Sequence, residues 1–303
     1  MWLEHPRYIP ARDRLISYLR SSSYHFRKLD PVLFLCGAAV SEPRDSLRKY
    51  LLRRVSGINV FYAERVWEQI ASSGGRSALE MESDLAMLAD MLVIIVESPG
   101  TFAELGAFSL SKELRKKILP IVDRKYRHEN SFISTGPLRW IDTDSTFRPT
   151  VYVSLDRILE GVEEIENRIA LIPRAQGVKI TNLASSTKHL LFFLCDLVSL
   201  ISPTTAAEVN FYLEGIEPSI LSSGISVPTL LGLGVAMNLL RAKSVAVWEK
   251  PETFYSPVGP NAVGHPYHHP RLLDMESLRA SHISVLLTLP EARTVLDAVG
   301  GAS

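Results

Sequence analysis

Cysteine is nearly absent. The 303 residues carry two, Cys36 and Cys195, too few for a disulfide framework or a four-cysteine zinc site. Both sit in apolar runs, FLCG and FFLCD, as thiols of a reducing compartment do. Net charge is absent as well: 33 basic and 33 acidic side chains cancel, so no overall field recruits or repels a polyanion. Long hydrophobic runs are missing. LLFFLC and MLVIIV are the longest, far short of the roughly 20 apolar residues that a membrane span needs. The opening MWLEHPRYIPARDRL has scattered charges and no apolar stretch before small residues, so it does not resemble a signal peptide. These absences lead us to expect a cytoplasmic protein with no membrane contact. The Gly-x-Gly-x-x-Gly dinucleotide fingerprint is lacking too. GLGVAM, 232 to 237, has two of its glycines but falls in an expected helix, where helix packing explains it better.

What is there is a globular composition, 46% hydrophobic and 22% charged, in a length that suits two domains at roughly 100 to 200 residues each. Residues 1–30 are polar and Arg-rich, and read as an N-terminal arm or short helix (RDRLISYLR) laid on the domain that follows. From there apolar runs and helical patterns alternate. VLFLCG (32 to 37), INVFYAE (58 to 64), MLVIIVE (91 to 97), KILPIVD (117 to 123) and TVYVSL (150 to 155) read as strands. SLRKYLLRRV, RVWEQIA, ALEMESDLAMLA, FAELGAFSLSKELR and DRILEGVEEIENRIALI read as helices. Five such alternations predict an α/β fold with a five-stranded parallel sheet covered on both faces. Its ligand cleft is expected at the carboxyl ends of the strands.

Near residue 175 the pattern changes. KHLLFFLCDLVSLI, TTAAEVNFYLEG and TLLGLGVAMNLLRAK read as three helices, followed by candidate strands SVAVWE and SVLLTL. Three helices and a hairpin are the order of a winged helix-turn-helix. The expected domains are 31–175 and 176–303.

Within the cleft loops, ESPGTFAELGAF (97 to 108) marks a strand end running into a helix start, where free amides and the positive helix end favour an anion. Gly100 allows close approach of a phosphate or sugar. Glu104 stands one turn in, where its carboxylate could reach a reacting carbon. Thr101-Phe102-Ala103-Glu104 is equally a capping box that closes the helix start on itself. Cys36 at a strand end is better explained as a buried thiol than as a nucleophile, and Gly37 beside it gives a ligand room. Tyr62 and Glu64 end the second strand and could touch base or ribose, or simply pack at the edge. Asp123 could bind ribose or pair with Arg124 or Lys125. Glu82, Asp84 and Asp90 read as surface acids by pattern alone. His265, His268 and His269 lie among prolines without nearby carboxylates, a poor metal set, and no metal is expected.

The order FLCG, FYAE, LEMES, LADMLVIIVESPGTFAELGAFS, ILPIVDRKY, SFISTGPLRW resembles the nucleoside deoxyribosyltransferase-like effectors encoded with type II retrons, anti-phage cassettes built on a reverse transcriptase. The likeness covers about residues 31 to 142, and ESPG-x-F-x-ELGAF is its specific part. It implies a Rossmann-like, deoxyribosyltransferase-like sheet and a toxin that hydrolyses the N-glycosidic bond of a nucleotide. NAD is the implied target, consumed as substrate rather than held as cofactor. In the family the Glu matching Glu104 attacks the anomeric carbon, through an oxocarbenium-like state that a carboxylate stabilises or captures. Glu82 matches the acid that contacts sugar or base. Ser98 stands where the transferases carry an Asp, a departure that resembles the family's nucleotide hydrolases and favours a phosphorylated substrate. Ser98, Gly100 and Thr101 would then hold phosphate or ribose, with Cys36, Gly37, Ala38, Tyr62, Glu64 and Asp123 as further substrate contacts. Base exchange with a second nucleobase is the alternative chemistry. A nucleotide sensor that binds without cleaving is the non-enzymatic one.

The resemblance implies the retron reverse transcriptase and its RNA–DNA hybrid product, the multicopy single-stranded DNA (msDNA), as partners in a higher-order assembly that restrains the enzyme. Residues 181–303 hold seven Lys and Arg against ten Asp and Glu, a poor surface for autonomous duplex reading. The arm, with Arg7, Arg12, Arg14, Arg20, Arg27 and Lys28, is the better candidate for phosphate contact.

Overall fold

The computed structural model describes residues 2–20, 29–62, 88–173, 180–222, 226–247, 250–258 and 274–300. The chain divides into two compact units, residues 30–175 and residues 1–29 together with 176–303. The first helix, α1 (Ile9–Arg20), therefore belongs with the C-terminal residues, not with the domain that follows it in sequence. The expected helix RVWEQIA and all of ALEMESDLAMLA except its buried last two residues, Leu88 and Ala89, lie outside the described residues, with Glu64, Glu82 and Asp84, as do His265, His268 and His269.

In residues 30–175, β1 (Val32–Cys36), β2 (Asn59–Tyr62), β3 (Met91–Val96), β4 (Ile118–Asp123) and β5 (Val151–Val153) form one parallel sheet in the order β2-β1-β3-β4-β5. Each strand falls on an expected apolar run. Every residue of β1 and β3 is buried, which explains why their sequences do not alternate. Leu33, Leu35, Val93, Ile95, Leu119 and Ile121 point to one face, under Leu47 and Leu51 of α2 (Glu42–Arg54) and under Ile165 and Ile169 of a later helix. Phe34, Cys36, Leu92, Ile94 and Val96 point the other way and are equally buried. After β3 comes α3 (Pro99–Leu110), which buries Leu105 and Phe108. Helices α4 (Arg139–Asp144) and α5 (Val162–Ile169) follow later in the unit. Strand order reverses between β1 and β3, and in such sheets the loops leaving those two strands part to form the crevice.

In the other unit, α6 (Thr187–Ile201) is buried almost all round, as a central helix must be. Helices α7 (Ala206–Ile216) and α8 (Val227–Ala236) follow, then an antiparallel hairpin of β6 (Leu240–Val247) and β7 (Lys250–Pro257). The third helix is shorter than expected. Asn238 takes the left-handed conformation at φ 57°, which turns the chain out of the helix, so NLLRAK feeds the strand. The second strand is KPETFYSP rather than SVLLTL, because residues 284–286 belong to α9 (Met275–Leu286). Met275, His282 and Leu286 are buried there at helical spacing, and Asp274 Oδ1 caps the start by accepting from the Ser277 N–H at 3.0 Å. The last helix is α10 (Pro290–Gly300). Gly234 of GLGVAM is a packing glycine. A Cβ there would lie 2.9 Å from Leu240 and 3.2 Å from the Cys195 sulfur.

The N-terminal residues are tied in by buried contacts. Trp2 stacks on Phe254 at 6.1 Å between ring centres. The Tyr8 hydroxyl lies 2.7 Å from that of Tyr212 and 3.1 Å from His282 Nδ1, and His282 Nε2 lies 2.9 Å from the Ile201 carbonyl. A carbonyl only accepts, so Nε2 carries the proton, Nδ1 accepts from Tyr8, and Tyr8 accepts from Tyr212. Burial keeps this imidazole neutral, with its pKa lowered to about 3.

Candidate active site

The loops leaving β1 and β3 are joined by one carboxylate. Glu97 Oε1 accepts the Ala38 N–H at 2.9 Å, linking the end of β3 to the turn after β1. Gly37 makes this possible: a Cβ there would lie 2.9 Å from Arg44 Cδ and 3.0 Å from Glu97 Oε1. Gly37 is thus required by close packing of its own protein. Ser41 caps α2 by accepting the Arg44 N–H at 3.1 Å.

Glu97 is also fixed from the other side. Its N–H and that of Ser98 both donate to Thr101 Oγ1 at 3.0 Å, while this hydroxyl donates to the Ser98 carbonyl at 2.9 Å. Ser98 Oγ accepts the Thr101 N–H at 3.3 Å, and Pro99 opens the helix, where its missing N–H costs nothing. The capping box is therefore Ser98 with Thr101, not Thr101 with Glu104. Two consequences follow. Thr101, 1% exposed, spends its hydroxyl on the helix start. Glu104, in contrast, is released from the capping role that the sequence also allowed. It sits on the second turn of α3, half-buried, with Oε2 sealed from solvent. Gly100 is exposed, and a Cβ there would meet only Ser98 Oγ at 3.8 Å, so the approach to this first turn is open.

The remaining expected contacts have definite neighbours. Cys36 is fully buried. The Tyr62 hydroxyl donates to Asp45 Oδ1 at 2.7 Å; burial, then this hydrogen bond, raise its pKa. The Arg44 and Arg48 guanidiniums lie 4.4 and 5.0 Å from its ring centre, a cation–π pairing at the end of β2. Asp123 Oδ1 accepts the Lys125 N–H at 3.1 Å and Oδ2 lies 3.4 Å from Lys125 Nζ, the local pairing that the sequence offered as its alternative role. Asp90 stands at the opposite edge: its Oδ2 accepts the Val32 N–H at 2.8 Å, fixing β1 against β3.

Sequence reasoning missed Glu97, Arg44, Asp45 and Arg48. Arg44 and Arg48 share a helix face at i,i+4, a signal that was available. Glu97 was visible only as the last letter of a strand, since its partner lies 59 residues upstream. Beside this edge, α2 and residues 155–160 border an open pocket of about 480 Å³ lined in part by Pro43, Ser46, Asp156 and Ile158, a size that suits a small molecule. Among the described residues, no His, Cys, Asp and Glu cluster fits a metal ion, and no helix is long and apolar enough to cross a membrane.

A family model described as STM3845 retron effector protein matches residues 41–241, about two thirds of the chain. Two Escherichia coli proteins are similar over shorter stretches. A retron Ec86 protein, whose name proposes a ribosyltransferase/DNA-binding protein, is 35% identical over 133 residues, 42% of this chain and 43% of its own length. Its retron Ec73 counterpart, named in the same words, is 35% identical over 142 residues, 44% of each chain. The match thus spans under half of either relative.

Proposed function

The chain belongs to the STM3845 retron effector family, and on that premise we propose that it cleaves the N-glycosidic bond of a nucleotide, with NAD as the favoured substrate and Glu104 as the nucleophile. The observation that carries the reading is the helix start. Ser98 and Thr101 close it between them, so the Glu104 carboxylate on the next turn takes no part in the cap and stands at the carboxyl end of β3, where a ligand would lie. The ribosyltransferase named in both relatives is consistent with it.

In this mechanism a Glu104 oxygen attacks C1′ of the ribose as the C1′–N bond breaks. The bond's electron pair returns to the pyridinium nitrogen, so nicotinamide leaves neutral and needs no proton. Water then hydrolyses the glycosyl ester, giving ADP-ribose and one proton. Partial burial of Glu104 limits its hydration and strengthens its interaction with the developing positive charge. Gly100 would admit the ligand to the first turn of α3, with Gly37, Ala38, Ser98 and Thr101 shaping the loops and Tyr62 and Asp123 at the rim; Glu82, orienting sugar or base, and Glu64, as a further substrate contact, are proposed from the family resemblance alone.

Retron reverse transcriptase and msDNA are the proposed restraining partners, within a higher-order assembly. Three helices followed by a hairpin support a winged helix-turn-helix assignment for residues 187–257. The exposed Arg7, Arg14 and Arg20 are the proposed phosphate contacts.

The test uses the full chain, free of reverse transcriptase and msDNA, with NAD or deoxynucleoside 5′-monophosphates, and follows free base. Nicotinamide release is the expected outcome. Exchange into an added free base at the expense of hydrolysis would replace hydrolase by transferase, and binding without release would replace both by a sensor.

A further inference from the structure

We propose that Glu97 is a sugar-specificity residue that makes this site select ribonucleotides over 2′-deoxyribonucleotides; the inference rests on the nucleotide reading above and deepens it. Glu97 is held on both sides of the crevice, by the Ala38 N–H on its side chain and by Thr101 Oγ1 on its own N–H. Only Oε1 is used in this. Among the described residues Oε2 has no hydrogen-bond or ion-pair partner, and the side chain remains partly exposed. A fixed carboxylate with one open oxygen can only accept, so it recognises a hydroxyl or N–H donor and repels a phosphate.

The neighbouring groups sharpen the choice. The Ala38 amide, which could have met a phosphate, is filled by Glu97 itself. The hydroxyls of Ser98 and Thr101 are engaged in the cap. Among the described residues Glu97 thus presents an open acceptor at the end of β3, and the part of a nucleotide that fits an acceptor is the ribose diol. One carboxylate oxygen can take both the 2′- and 3′-hydroxyls or the 2′-hydroxyl alone. In either case, removing the 2′-hydroxyl costs a hydrogen bond to a charged group. The phosphates must then lie away from Glu97.

Binding of AMP and dAMP to the full chain, by calorimetry, tests this in a Glu104→Gln background that prevents turnover. AMP should bind about tenfold more tightly than dAMP, the size of a hydrogen bond to a charged group. Adding Glu97→Gln, which keeps an oxygen for the Ala38 N–H but removes the charge, should bring the two within about twofold, with the melting temperature unchanged. In otherwise wild-type protein Glu97→Gln should raise KM for NAD more than it lowers kcat. A preference for AMP that survives Glu97→Gln overturns the assignment while leaving the nucleotide reading intact, as does equal binding of AMP and dAMP without it. Failure of AMP, dAMP and NAD all to bind overturns both.

Discussion

In residues 30–175 the residues of the proposed site lie at the carboxyl edge of the sheet, where Glu97, Ser98, Gly100 and Glu104 are partly or fully exposed. In the other unit Tyr8, Glu208, Tyr212 and His282 are sealed inside. The difference separates two uses of polarity. Groups at the edge exchange water for a ligand at little cost. Buried groups must satisfy one another or lose several kcal/mol; Tyr8, Tyr212 and His282 do so across α1, α7 and α9, while Glu208 bonds Thr204 and Thr205 beside it.

Charge divides the units as well, in the reverse of the sequence expectation. Residues 1–29 bring six basic side chains and two acidic ones to the unit they join. That unit then holds 14 basic and 12 acidic residues, against 19 and 21 in residues 30–175. The hairpin and the basic arm thus share one mildly positive unit, which supports nucleic-acid contact there more than the acidic count of residues 181–303 did. Arg12 does not contribute, since it donates to Asp13 Oδ1 and the Leu3 carbonyl at 2.8 Å and stacks on Phe211.

The largest effect that probes this contrast is on stability. His282→Ala removes the acceptor of Tyr8 and the donor to Ile201, and opens a void among α1, α6 and α9; about 3 kcal/mol should be lost. Nicotinamide release at 25 °C should stay within about twofold, and a comparable fall in both would break the separation. Next comes Gly37→Ala, which forces Arg44 or Glu97 to move and should cost about 2 kcal/mol, with at least about a tenfold fall in kcat/KM, read by melting and by rate. A variant with normal activity would show that the two loops are not held by that contact.

The smallest effect is a pH dependence confined to the buried unit. Burial raises the Glu208 pKa from 4.5 to about 7. Between those values the native carboxyl keeps a proton that the unfolded chain has released, so its contribution to stability is lost as pH rises through about 7. Glu208→Gln should therefore gain on the wild type by about 1 kcal/mol between pH 6 and 8, measured by denaturant unfolding. A constant difference between the two proteins would contradict this.

Much of the sheet was legible because strands buried on both faces are written as short, unbroken apolar runs. The placement of α1 was not, since an amphipathic pattern records which face is buried and not what covers it. The hairpin was misread for a related reason: Pro251 and Pro257 hide β7, while the apolar SVLLTL is the end of a helix. At the site, Glu104 could be picked out by its position after an apolar strand, yet the cap depended on whether the helix began at Pro99 or after Thr101. Glu97 could not be assigned at all without the fold that brings Ala38 to it.

The central claim is that Glu104 performs the chemistry, and nicotinamide release from NAD by wild type and Glu104→Gln, at equal melting temperature, tests it most directly. The account predicts release by the wild type and a fall of about a thousandfold or more in the variant. Release at the same rate by a folded Glu104→Gln protein would contradict it.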